Sequence, residues 1–239
     1  MATTTPYHPL TLPPPQAKLG HRYVWELPIR LTHFTIALAI STLIITGFFI
    51  TYPVMSPTGT PEDHFLMGRF RQFHFGAGYL LLLSFITRTY FYFNGNKYSR
   101  SGMPRFWNKA WWGVLLRQIV EYMKVERGHA HLGHNSLAAA TYVFCVGGVG
   151  TFQILTGFAM YGESNPGGFW DKLCGWVIPI LGGSFRTRTW HHLSVWVFIL
   201  FIMAHLYMVI FGSLRFRNGL ISSMVSGDKF YRDGDIDYD

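Results

Sequence analysis

Four apolar runs, each close to the length of a membrane-spanning helix, constrain this chain more than anything else in it. They fall at about 32–52, 72–93, 136–160 and 190–211, each near the ~20 residues that cross a bilayer core as an α-helix. Hydrophobic residues make up 49% of the 239 positions and charged residues only 13%. That is about half the charge share of ordinary soluble domains. The aromatic share, 18%, suits interfacial belts. A net charge of +8 does not read as a nucleic-acid face, because the basic residues sit in connections beside the apolar runs. The expected fold class is an all-α membrane protein with four transmembrane helices in a bundle. A flexible N-terminal arm is expected over 1–22, the four-helix domain over 23–227, and an acidic C-terminal tail over 228–239.

Lysine and arginine counts orient the chain. Three precede the first run, seven lie between the second and third, and four follow the last; the other two connections hold two and three. Both termini should therefore be cytoplasmic, in a multi-pass membrane protein. The stretch Lys109 to Val125 reads as an amphipathic helix on the inner surface, and Gly168 to Leu181 as an interfacial segment on the outer side.

Histidine placement carries the chemistry. His191 and His205 lie 14 positions apart in the last run. Fourteen steps bring both rings to one helix face, about 21 Å apart along the axis. His33 stands near the cytoplasmic start of the first run and His74 near the outer start of the second. Depth then pairs His74 with His191 on the outer side and His33 with His205 on the inner side. Two bis-histidine sites at two levels are what a di-haem four-helix bundle needs. Ionisable groups inside a bilayer are costly and mark function. A single histidine in such a place also serves as a helix–helix hydrogen-bonding partner, so the argument rests on all four together.

Other residues narrow the cofactor. Covalent haem attachment uses Cys-x-x-Cys-His; this chain has only Cys145 and Cys174, so any haem is non-covalent and b-type. The two cysteines cannot build a four-cysteine iron–sulfur cluster and read as buried small residues. No glycine-rich dinucleotide fingerprint is present. Gly76 and Gly78 beside His74, and Gly147, Gly148, Gly150 and Gly157 in the third run, let backbone approach a flat cofactor or a neighbouring helix. His129, His131 and Glu126 read as a solvated loop rather than a zinc site.

Several stretches together resemble the b-type cytochrome subunit of membrane-bound, uptake-type [NiFe] hydrogenases. They are Tyr23-Val24-Trp25-Glu26-Leu27-Pro28, Thr46-Gly47-Phe48, Gly95-Asn96-Lys97-Tyr98, Gly133-His134-Asn135, Thr156-Gly157-Phe158, Trp190-His191-His192-Leu193 and Ser223-Met224-Val225-Ser226-Gly227. The four-histidine pattern alone is shared with cytochrome subunits of formate dehydrogenases, which stand as the alternative with related periplasmic oxidoreductases. The resemblance implies an electron-transfer subunit rather than a free-standing catalyst. It would anchor a periplasmic nickel–iron large subunit and iron–sulfur small subunit, and pass electrons through an outer and an inner haem b to a membrane quinone. It implies His74 and His191 as axial ligands of the outer haem and His33 and His205 as those of the inner one.

Haem carboxylates need cationic or hydrogen-bonding partners. Candidates are Arg69, Arg71, Arg186, Arg188 and His192 on the outer side, and Arg30 and Arg88 on the inner side. Arg88 can equally snorkel to the interface. His134 and Asn135 are candidates for a quinone site near the inner haem, or else a surface histidine with a helix cap. Two functions of other classes remain open from residues alone: a metal-ion transporter using the buried histidines, and a purely structural anchor.

Overall fold

A computed structural model describes residues 19–53, 65–101, 104–123, 133–216 and 219–232. The long helices follow the apolar runs and overrun them at their ends. α1 covers Leu27–Thr51, with Pro28 in its first turn, where a missing N–H breaks no helical bond. α2 covers Leu66–Asn94 and stops at Gly95. The third run is α5 (Ser136–Thr141), a π-helical stretch Tyr142–Val149, and α6 (Gly150–Gly162). The last run lies within a helix of 33 residues, Ser184–Phe216.

Three of the described helices are long and apolar enough to cross a membrane: Leu27–Thr51, Ser136–Gly162 and Ser184–Leu214. α2 has 29 residues but carries Arg69, Arg71 and Arg88, which dilute its apolar run. Outward positions are themselves apolar, among them Leu38, Ile45, Leu83, Leu200 and Met203. A patch of that kind is stable against hydrocarbon rather than water, so the protein is an integral membrane protein. Inward, Ala39 and Ile40 of α1, Leu81 of α2 and Phe198 of the last helix form the middle of the bundle.

The two chain ends meet at one end of the bundle, called here the near end. β1 (Leu19–Tyr23) pairs antiparallel with β2 (Asp228–Arg232), Leu19 opposite Arg232 and Tyr23 opposite Asp228. The last residues of the expected arm and the first of the expected tail are thus a strand pair; 1–18 and 233–239 lie outside the described residues. Val24 and Trp25 N–H donate to Gly227 O at 2.8 and 3.1 Å. Gly227 has φ +91°, and a Cβ there would strike the Tyr23 ring, so glycine is required. A second latch runs through Asn96. Its Oδ1 caps the short α3 (Lys97–Arg100), its Nδ2 donates to Val24 O at 2.9 Å, and its N–H donates to Glu26 Oε2 at 2.9 Å. α4 (Lys109–Met123) lies alongside with Trp111, Leu115 and Gln118 buried and Trp112, Leu116 and Val120 exposed. That division is the amphipathic pattern expected over 109–125, of which 124 and 125 lie outside the described residues.

At the opposite, far end, the expected interfacial segment is two short helices, α7 (Phe169–Cys174) and α8 (Val177–Ile180). They seat Cys174 and Val177 on Phe158 and Ala159 of α6. The last helix is labelled α9; α10 (Ser223–Ser226) leads into β2.

Candidate functional site

His191 and His205 of α9 each enter a tier with a partner from another helix. In the near tier, His33 of α1 faces His205 of α9, ring centres 6.1 Å apart and planes inclined by 50°. Nδ1 of His33 is buried without a hydrogen-bond partner. Phe201 stacks on the other side of His205 at 5.7 Å. In the far tier, His191 of α9 lies within electrostatic reach of His74 of α2.

The far tier is built twice over from one local pattern. Thr46 Oγ1 lies 2.8 Å from Nδ1 of His74, and Thr156 Oγ1 lies 2.8 Å from Nδ1 of His191. Each hydroxyl also points at the carbonyl four residues back in its own helix, Thr42 O at 2.6 Å and Phe152 O at 2.7 Å. A hydroxyl has one proton to give. Given to the carbonyl, it leaves the oxygen to accept from the ring, so Nδ1 carries the hydrogen and Nε2 carries the free lone pair.

The residue after each threonine is glycine. A Cβ on Gly47 would sit 3.3 Å from Cε1 of His74, and one on Gly157 would sit 3.4 Å from Cε1 of His191. A larger side chain at either place would displace the ring. Gln153 adds a strap, donating to His191 O at 2.9 Å and to Ser194 Oγ at 2.8 Å. Thr46 and Thr156 enter the sequence reading only within the stretches that carry the resemblance, with no role of their own, although Thr-Gly-Phe occurs twice, at 46–48 and 156–158. That repeat was the available signal. A second signal was spacing: Gly47 follows His33, and Arg88 follows His74, by the same 14 positions that separate His191 from His205.

The other candidates are spread between the two ends. His192 is held by Thr51 of α1, its Nε2 3.0 Å from Thr51 Oγ1. Arg71 lines an open cleft of about 640 Å³ with Phe65, Gln72, Phe75 and Tyr161. Arg30 donates through Nη1 to Val225 O of α10, while its Nε is buried without a partner. Arg88 is 7% exposed. It donates through Nη2 to Ser99 O at 3.2 Å, lies 5.1 Å from the Tyr142 ring centre, and keeps Nη1 buried and unpartnered.

His134 and Asn135 are near-end residues with structural work of their own. Asn135 Oδ1 accepts from Ala138 N–H at 2.7 Å as the cap of α5, and its Nδ2 donates to Tyr122 OH at 3.4 Å. His134 sits edge-on to Trp25 at 5.1 Å, with Nδ1 3.2 Å from Ser101 Oγ. Burial first, then the positive charges of Arg88 and Lys229, push its pKa down to about 3. Burial also holds Lys229, beside Trp25, down to about 8. Both cysteines are free and buried. Among the described residues no cluster of three or more His, Cys, Asp or Glu could hold a metal ion; His129, His131 and Glu126 lie outside them.

Known proteins supply the family. Residues 24–227 match the family described as prokaryotic cytochrome b561. The chain is 40% identical over 215 residues to a probable Ni/Fe-hydrogenase B-type cytochrome subunit of Azotobacter chroococcum, covering 88% of this chain and 89% of that one. The protein of the same description from Cupriavidus necator is 40% identical over 217 residues, covering 88% of each. A probable Ni/Fe-hydrogenase 1 B-type cytochrome subunit of Escherichia coli K12 is 32% identical over 220 residues, covering 90% and 93%. With near-complete coverage on both sides and the quoted motifs, Tyr23 apart, inside the matched span, the chain belongs to the prokaryotic cytochrome b561 family, among its Ni/Fe-hydrogenase B-type cytochrome subunits.

Proposed function

We propose that this protein anchors a periplasmic [NiFe] hydrogenase in the bacterial inner membrane, holds two haems b, and passes electrons from the iron–sulfur small subunit to the quinone pool. The names of its relatives support the partner. The observation that carries the reading is the arrangement of four histidines in two tiers of one helical bundle. His33 and His205 are the axial ligands of the near, inner haem, and His74 and His191 those of the far, outer haem.

The residues fit such a group. Two imidazoles on one metal, with bonds of about 2 Å, set their ring centres about 6 Å apart; His33 and His205 stand at 6.1 Å. The far-tier threonines leave Nε2 as the free nitrogen on both rings. Beside His74, Gly76 and Gly78 have nothing within 4 Å of where a Cβ would be. When bound, a haem with imidazole at both axial positions supplies one-electron transfer and leaves no place for oxygen or substrate.

Around the tiers, Arg88 is the first candidate for a haem carboxylate, because its buried Nη1 has no partner. Arg30, Arg71 and His192 are the others. His134 is the candidate quinone contact, with Asn135 as the cap that positions it. Four spans, with α2 as the second and both termini cytoplasmic, follow from the length of α2 and the lysine and arginine distribution. The far end then meets the hydrogenase.

Haem per chain in the purified full-length protein tests the reading. Two are expected. One would remove a tier, and none would remove the electron-transfer account.

A further inference from the structure

We infer that Thr46 and Thr156 hold the reduction potential of the far tier below that of the near tier, so that electrons run toward the near end. The inference rests on the two-haem reading above and concerns only how its two sites differ. The far rings each place Nδ1 2.8 Å from a hydroxyl oxygen, and with the hydroxyl proton on the helix carbonyl each ring is the donor. Those hydroxyls are already turned by donating to Thr42 O and Phe152 O, so their lone pairs face the rings. An imidazole that donates from its remote nitrogen is a more basic ligand at the other. A more basic ligand favours the more positively charged, oxidised iron and lowers its potential.

The near tier has no counterpart. Nδ1 of His33 is buried without a partner, and among the described residues neither ring nitrogen of His205 has a hydrogen bond. Whichever nitrogen faces the metal there, no hydroxyl strengthens it. Both ligands of one site are reinforced and neither ligand of the other is. The two threonines are positioning residues; they touch the ligands and not the iron.

Redox titration of the two haem components in the purified full-length protein, followed by visible absorption, tests this. Thr46→Val and Thr156→Val keep the shape and remove the oxygen. Each should move the lower-potential component upward and leave the other in place. The double variant should shift it further, and Thr46→Ser with Thr156→Ser should restore it. Unmoved components, or both moving together, would overturn the inference while leaving the two-haem count intact. A wild-type protein without two haems would instead overturn the reading beneath it. Should a valine variant lose its haem, His33→Ala gives the answer by another route. The component it retains should titrate at the lower wild-type potential; retention of the higher one would overturn the inference.

Discussion

The two tiers use the same four helices in different ways. In the far tier, α1 and α6 each offer Thr-Gly near the far end, and α2 and α9 each offer a histidine to meet it. The result is a near-repeat: a rising helix with a hydroxyl, a descending helix with a ring. In the near tier the roles change. α1 and α9 bring the rings, while α2 brings Arg88 and the third span brings Tyr142 under it. Among the described residues the far tier is therefore internally satisfied. The near tier holds unpartnered polar atoms: Nδ1 of His33, Nη1 of Arg88 and Nε of Arg30. Buried polar atoms are almost always paired, so the near tier departs from the rule where the far tier keeps it. The difference teaches that one helical bundle can satisfy the polar atoms of one tier from within and leave those of the other open.

That contrast can be broken by deleting rings. His191→Ala and His205→Ala alter one helix at two heights. Each should halve the haem content, and the remaining spectral component should differ between them. If either variant empties both tiers, the tiers are not independent. A smaller effect separates the tiers by packing. Gly47→Val or Gly157→Val adds atoms against a ring that a Cβ alone would already approach to 3.3 or 3.4 Å. A cost of about 1–3 kcal/mol is expected from overpacking. It should appear as lower thermal stability and loss of the far component alone.

The smallest effect belongs to the near end and to acid. His134 has a folded pKa of about 3 against an ordinary 6.5. Above pH 6.5 neither state takes a proton there. Between 6.5 and 3 the unfolded chain binds one and the folded chain does not, so stability falls as pH falls through that window and levels off below it. Lys229, at about 8, is already charged throughout the window and adds no slope. Trp25 fluorescence should report the loosening, and His134→Gln should flatten it. A slope unchanged in His134→Gln would assign the acid response elsewhere.

Much of this was legible in one dimension. The long helices coincide with the apolar runs because hydropathy and a 1.5 Å rise are local properties. The 14-residue interval between His191 and His205 put two rings on one face for the same reason. Asn135 could be suspected as a cap before Ala138 N–H was seen to meet it. Other motifs proved structural. Gly95-Asn96 ties the end of α2 to Val24 and Glu26, and the Ser223–Gly227 stretch ties the chain's two ends together, which no periodicity announces. The arm and tail looked loose because neither Leu19–Tyr23 nor Asp228–Arg232 has a strong strand pattern alone. Each gains its backbone partners only from the other.

By itself, then, the amino-acid order determined a membrane-embedded helical chain with histidines at two heights. Turns per residue and rise per residue suffice for that. Tertiary structure alone decided that Thr46 meets His74 across 28 positions and Thr156 meets His191 across 35. It also decided that Arg88 is buried over Tyr142. Those outcomes depend on how far apart two helix axes lie and how each is rotated. Distance and rotation are set by the side chains packed between the helices, not by the spacing within either one.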